Sequence, residues 1–288
     1  MVILDHERRP EAREVKLSAP ELNAIVTQRH DVGKGVWVIY VTPDGWPLPA
    51  FEAGQYATLG LPGTAPRWSG AEPEPPLRDS EKLIKRAYSI VSSPVENDHL
   101  EFYLVLIGNG SLTPRLFNLQ PGGRLWLSPK IIGSFVLAKA PADTNLVFVA
   151  TGTGVAPYVS MLRTILGPNT KKKIALFHGV RVSQDLGYMK EMLAIQRVCP
   201  DFAYIPTVSR PQSEVFPWKG MTGYVQQVWE SGVLKERWGF APTPDDTHFF
   251  LCGSPGMIES MVKALSKDGF SEHTRVHPNG QIHLERYW

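Results

Sequence analysis

Cysteine is scarce: Cys199 and Cys252 are the only two in 288 residues. Two thiols cannot hold a four-cysteine iron–sulfur cluster or a structural zinc site, and they lay down no disulfide framework. No metal site is expected. Long apolar runs are missing too. Stretches such as 145–150 and 248–252 fall far short of the ~20 residues a spanning helix needs, so no membrane insertion is expected. Neither sign of charge dominates, and a net charge of +2 is too weak to draw the chain to nucleic acid. The opening "MVILDHERRPEAREVKL" is charged from Asp5 onward and lacks the apolar region of a secretory signal. A cytoplasmic protein is therefore the expectation. No internal repeat is evident, and nothing demands more than a monomer.

What the chain does have is a change of pattern near residue 140, and its length suits two domains. Before that point, short apolar runs recur between Gly, Pro and Asn turns: "GVWVIYV" (35–41), "QYATLGL" (55–61), "RAYSIVSS", "LEFYLVLI" (100–107) and "GRLWLSP" (123–129). Such spacing predicts an antiparallel β-barrel or sandwich over residues 1–140. Its one helical signal is "SLTPRLFNL" (111–119). Residues 62–84, rich in Pro, Gly and charge, read as an insertion, with Trp68 as the residue to dock it. After residue 140, "NLVFVA", "KKIALFHGV", "DFAYIPTVS" and "THFFLCG" alternate with the helical stretches "PYVSMLRTIL", "SQDLGYMKEMLAIQ", "YVQQVWESGVL" and "MIESMVKALSKDG". Ser183 is the expected N-cap of the second of these. Strands alternating with helices predict a parallel α/β domain over 141–288.

Two stretches carry chemistry. "RAYSIVSSP" (86–94) puts an arginine, an aromatic and three serines on a strand, more polar groups than a core strand needs. "VATGTGVAPY" (149–158) joins the first α/β strand to its helix. Gly152 and Gly154 there let backbone N–H groups approach a phosphate, and Pro157 suits a first helical turn. The GxGxxP pattern is not the GxGxxG fingerprint. Nor does a carboxylate follow about 20 residues on to chelate a ribose, as NAD-binding units have. That region reads "FHGVR". Arg181 and Arg210, at the ends of successive strands, favour a 2′-phosphate and hence NADP over NAD. "LCGSPGMI" (251–258) is one more strand–turn–helix unit ending at the same crevice; whether Cys252 is a core thiol or a site residue stays open.

In order along the chain, "RAYSIVSSP", "GNGSLTPRL", "ATGTGVAPY", "HGVR…DLGY", "TVSR", "CGSPGMI" and the terminal "ERYW" resemble the ferredoxin/flavodoxin–NADP⁺ reductase family, in particular its bacterial branch with a Tyr-Trp C-terminus. The resemblance covers roughly residues 21–288. It implies a barrel holding FAD, an α/β domain holding NADP(H), and a C-terminal tail returning to the flavin. It assigns Arg86 to the FAD pyrophosphate, Tyr88 to one flavin face and Ser89 to the flavin N5 edge. Ala87, Tyr103 and Val105 are implied as further FAD neighbours. Thr113 would bind the pyrophosphate with the amides of Ser111 and Leu112. Tyr287 would cover the other flavin face, with Trp288 reaching the FAD adenine. On the coenzyme side the implied residues are Thr151, Gly152, Thr153, Gly154, Arg181, Ser209, Arg210, Tyr224, Cys252 and Gly253. Ser89, Tyr88, Cys252, Glu285 and Tyr287 would serve catalysis. The implied reaction is hydride transfer between NADP(H) and flavin N5, followed by single-electron exchange with ferredoxin or flavodoxin.

The chain departs from the family pattern in three places. Bacterial relatives often carry a second arginine about ten residues beyond "VSR", where Tyr224 stands here, as in the plant-type enzymes. The insertion at 62–84 and the first 20 residues lack clear counterparts. A basic rim for an acidic protein partner has Arg78, Lys82, Lys85, Arg115 and Lys130 as candidates. The competing readings are a flavin reductase using flavin as a diffusible substrate, the electron-supplying reductase of an oxygenase working through a separate ferredoxin, and a flavin-binding regulator without turnover.

Overall fold

A computed structural model of the chain describes residues 21–96, 98–167 and 170–286; the roles expected of Tyr287 and Trp288 fall outside them. The first half forms a six-stranded antiparallel sheet, in the order β4-β3-β6-β1-β2-β5. Its strands are β1 (Ala24–Gly33), β2 (Val36–Pro43), β3 (Tyr56–Pro62), β4 (Leu83–Ser89), β5 (Leu100–Val105) and β6 (Arg124–Leu127). Side chains on a strand alternate in direction, so every second residue enters the core. Ala57, Leu59 and Leu61 of β3 meet Trp37, Ile39 and Val41 of β2 there, with Leu100, Phe102 and Leu104 of β5. A bridge from Ile90 to Phe102 ties the end of β4 to β5 and curls the sheet toward closure as a barrel. The helical signal at 111–119 shrinks to α1 (Thr113–Leu116).

The second half is a parallel sheet in the order β10-β9-β8-β7-β11-β12. Its strands are β7 (Asn145–Thr151), β8 (Ile174–Val180), β9 (Phe202–Val208), β10 (Met221–Thr222), β11 (Thr247–Gly253) and β12 (Ile282–Arg286). All seven residues of β8 and of β11 are buried, because helices cover both faces. On one face lie α2 (Ala156–Ile165) and α3 (Met189–Val198); on the other lie α4 (Val225–Glu230), α5 (Val233–Trp238) and α6 (Pro255–Lys267). Chain order reverses between β7 and β11, and the crevice beyond their carboxyl ends is where open α/β sheets take ligands.

Two helices differ from expectation. Ser183 is no N-cap: its backbone N–H and hydroxyl donate to the Glu214 carboxylate at 2.5 and 2.7 Å, and α3 starts six residues later. The expected single helix "YVQQVWESGVL" breaks at Gly232, whose φ of +79° no continuing helix adopts.

The two halves share a core through the second face of β5. With Leu100, Phe102 and Leu104 turned into the barrel, Glu101 and Tyr103 face the α/β half. Glu101, 2 % exposed, pairs with Arg163 of α2 at 2.5 Å and accepts the Tyr188 hydroxyl at 2.7 Å. Arg163 in turn grips Glu191 of α3 at 2.8 Å. Ser160 donates to the Ser92 carbonyl at 2.7 Å, and the hydroxyls of Ser93 and Thr164 lie 3.1 Å apart. Among the described residues no helix is long and apolar enough to cross a membrane.

Candidate functional site

The barrel and the α/β sheet meet at three polar side chains. Parallel pairing sets Glu285 of β12 beside Cys252 of β11, and the thiol lies 3.6 Å from the carboxylate. From the other half, the Ser89 hydroxyl donates to the same Glu285 oxygen at 3.4 Å. Cys252 is fully buried and Ser89 nearly so. Burial raises the Glu285 carboxyl to about 7, only partly opposed by the hydrogen bonds of Cys252 and Ser89 and by the Lys139 charge. A carboxyl so tuned is poised to hold or release a proton near neutrality.

β4 is the edge strand of its sheet and Ser89 its last residue. A flat ligand across that end can touch residues of both strand faces, which alternation otherwise separates. Tyr88 is half-buried with its phenol pushed up by burial, Ala87 is exposed, and the exposed Arg86 donates to the Lys85 carbonyl at 2.7 Å. Thr113 turns its hydroxyl inward, donating to the Ile107 carbonyl at 3.2 Å and accepting from the Ile107 amide at 3.0 Å. That closes the 107–113 loop. The N–H groups of Ser111 and Leu112 have no protein acceptor among the described residues. Val105 is exposed at the end of β5. Tyr103 is turned elsewhere: its hydroxyl donates to the Asp185 carbonyl at 3.0 Å and accepts from the Gly187 amide at 3.1 Å, in the α/β half.

On the coenzyme side, the turns after β7 and β11 interlock. Ser254 N–H donates to the Thr151 hydroxyl at 3.0 Å. Gly154 presses so close to the next turn that a Cβ would run into the Cys252 carbonyl, and at Gly253, with φ of +152°, a Cβ would meet the Thr151 hydroxyl. These positions demand glycine for close approach and leave Gly152 and Thr153 at the rim of the crevice. Beneath them sits His178, which sequence reasoning missed. The buried His178 ring donates to the Gly152 carbonyl at 3.2 Å and accepts from the Tyr204 hydroxyl, 3.1 Å away. Burial lowers it to about 4, so it supports the turn as a neutral ring. Its only sequence signal was a histidine inside an apolar strand.

Arg181 and Arg210 stand exposed at the ends of β8 and β9, joined through an Arg210 N–H donating to the Arg181 carbonyl at 2.9 Å. Ser209 donates its N–H and its hydroxyl to the Val180 carbonyl at 2.9 and 3.1 Å. Tyr224, 62 % exposed, follows Gly223, whose N–H donates to Val208 at 2.9 Å, so its ring emerges beside the same strand ends. Arg115 does not belong to a basic rim: it is 3 % exposed and paired with Glu74 at 2.7 Å. Lys85 lies over the Trp126 ring at 3.8 Å.

Residues 148–263 match the oxidoreductase NAD-binding domain family. The chain is 31 % identical over 270 residues to a flavodoxin/ferredoxin–NADP reductase of Buchnera aphidicola subsp. Schizaphis graminum, covering 93 % of this chain and 99 % of that one. With the enzyme of the same name from Escherichia coli K12 it shares 32 % over 242 residues, 84 % of this chain and 90 % of the other. Among solved structures, a Neisseria gonorrhoeae ferredoxin NADP⁺ reductase with bound FAD and NADP superposes with a TM-score of 0.75 at 22 % identity, over 92 % of this chain and 98 % of that one. The Amycolatopsis cytochrome P450 reductase GcoB superposes with a TM-score of 0.72 at 26 % identity, over 92 % of this chain and 69 % of that one.

Proposed function

The chain belongs to the flavodoxin/ferredoxin–NADP reductase family, an oxidoreductase family, and from that premise we propose that it exchanges electrons between NADP(H) and a one-electron carrier, ferredoxin or flavodoxin, through FAD. The observation that carries this reading is the convergence of Ser89, Cys252 and Glu285 from two halves of the chain. They meet on one carboxylate at the carboxyl ends of β11 and β12, beside the crevice at β7 and β11.

The residues present fit both groups. The barrel, within residues 1–140, would hold FAD: the unpartnered amides of Ser111 and Leu112 and the exposed Arg86 suit its phosphates, and Tyr88 and Ser89 suit its ring. The α/β half, within 141–288, would hold NADP(H). Its glycine turns suit the pyrophosphate, Arg181 and Arg210 the 2′-phosphate, and Tyr224 the adenine face. Bound FAD would supply hydride acceptance and single-electron release, chemistry that no side chain offers.

The protein's share is positioning and charge. Buried Cys252 and Ser89 form a dry wall against which two rings can stack, and water kept out of it cannot intercept a hydride. Glu285 keeps a proton close at hand below about pH 7. The interdomain network around Glu101 and Arg163 fixes how the two halves meet, and would set the spacing of groups bound to each.

Arg181→Ala tests the coenzyme half. A charge-assisted contact to phosphate is worth about 1.5–3 kcal/mol. The KM for NADPH is therefore expected to rise about ten- to a hundredfold, with that for NADH nearly unchanged. Equal effects on both coenzymes would remove Arg181 from the 2′-phosphate.

A further inference from the structure

β3 and β4 pair to their very ends, Pro62 opposite Leu83, yet residues 63–82 intervene where a hairpin loop ordinarily needs about 2–5. The extra residues do not hang free. They fold across the 107–114 loop and fasten to it at three of its carbonyls, while Arg115 of α1 reaches back from the loop's far end. Trp68 N–H donates to Pro114 O at 2.8 Å, and Glu72 N–H donates to Gly108 O at 3.1 Å. The Arg67 guanidinium donates to Gly110 O at 3.0 Å and to Gly108 O at 3.4 Å, while also holding the Glu72 carbonyl at 2.7 Å. Arg115 donates to Ser111 O at 2.6 Å and to Gly63 O at 2.5 Å. A single carboxylate, Glu74, joins the two guanidiniums, 3.3 Å from Arg67 and 2.7 Å from Arg115. The indole of Trp68, the docking residue expected from sequence, is 40 % exposed. The fastening is done by arginines and backbone.

These contacts have a direction. In a trans peptide the N–H points opposite the C=O. Holding the Gly110 carbonyl toward Arg67 of the insertion and the Ser111 carbonyl toward Arg115 therefore turns the N–H groups of Ser111 and Leu112 away from those guanidiniums. Those are the two amides without a protein acceptor among the described residues. The Thr113 hydroxyl braces the same loop from inside, through Ile107.

We propose that residues 63–82 are a built-in clasp that sets the 107–114 loop in its phosphate-receiving shape, making Arg67 and Glu74 positioning residues for FAD retention. This rests on the reading of the barrel as the FAD half. The clasp acts before the cofactor arrives, so its benefit is preorganisation: amides already aimed need not be ordered on binding. Arg67 is the residue whose loss isolates this effect, because its one guanidinium grips both the insertion and the loop.

The test uses the purified holoprotein, stripped of FAD and reconstituted, comparing wild type with Arg67→Gln, Arg67→Lys and a variant whose residues 66–79 are replaced by a short Gly-Ser link. FAD Kd is read by quenching of flavin fluorescence, and urea unfolding of each apoprotein is read in parallel. Arg67→Gln is expected to weaken FAD at least about tenfold, with an apoprotein unfolding midpoint close to wild type. Arg67→Lys should recover part of the loss, since it keeps the charge but not the fork. The Gly-Ser variant should lose FAD at least as severely. Wild-type FAD affinity in either Arg67→Gln or the Gly-Ser variant overturns the clasp, as does FAD loss that merely tracks loss of apoprotein stability. A wild-type protein that binds no FAD overturns the FAD reading itself, and the clasp with it.

Discussion

Glu285→Gln is expected to stabilise the flavin-free protein above neutral pH while giving no such gain in acid. The Glu285 carboxyl is raised from its ordinary range to about 7, chiefly by burial. Between about pH 4.5 and 7 the folded protein keeps a proton there that the unfolded chain has lost. The stabilisation this confers is fully present below that window and disappears as pH rises through 7. Above it, the folded state carries a half-hidden carboxylate at a cost on the order of 2–3 kcal/mol. Glutamine cannot ionise and escapes that cost. Urea unfolding at about pH 5 and pH 8.5 should show the variant gaining on wild type as pH rises. A difference that stays flat across the two pH values contradicts the raised carboxyl. In the FAD-loaded protein, the same substitution should flatten the pH dependence of flavin reduction near 7.

Arg163→Ala is expected to cost about 3–5 kcal/mol of stability, the price of leaving a buried carboxylate without its partner. Glu101 sits 2 % exposed on β5 and cannot turn to water, because its strand also carries Phe102 and Leu104 into the barrel core. The hydroxyls of Tyr188, at 2.7 Å, and Tyr40 offer hydrogen bonds but no charge. Arg163 also ties α2 to Glu191 of α3, so its loss loosens the seam between the halves. The double variant Arg163→Ala, Glu101→Gln should regain much of the loss, since no buried charge then remains. Denaturant unfolding of the two variants measures this directly. An Arg163→Ala protein within about 1 kcal/mol of wild type would mean that the seam draws little on this ion pair.

The parallel sheet was the most legible part of the chain. Its central strands are continuous apolar runs because helices bury both faces, and the glycine turn after β7 marks the crevice. β1 escaped notice because only Ala24 and Val26 of its ten residues are buried core, leaving "TQRHD" without alternation. β12 escaped because its motif, "ERYW", read as a tail, although the strand pairing it makes with β11 is what sets Glu285 beside Cys252. Such long-range pairing leaves no mark in local sequence.

"RAYSIVSSP" shows both sides. Its excess of polar groups reflects contacts beyond its own sheet, and those contacts are divided. Ser89 meets Glu285, whereas Ser92 accepts from the Glu101 amide at 3.2 Å and Ser93 faces Thr164 of α2. Two of the three serines serve the seam between the halves and not a ligand. Arg115 misled for a related reason: an arginine reads as surface until its buried partner is seen, and Glu74 lies 41 residues away in sequence.

The most direct test of the central claim is anaerobic stopped-flow reduction of the FAD-loaded protein by NADPH and by NADH. The account predicts a protein that stays yellow through gel filtration. NADPH should bleach its flavin much faster than NADH, and ferredoxin or flavodoxin should restore the colour. Flavin lost on the column, no bleaching by NADPH, or bleaching by NADH at the NADPH rate would contradict it.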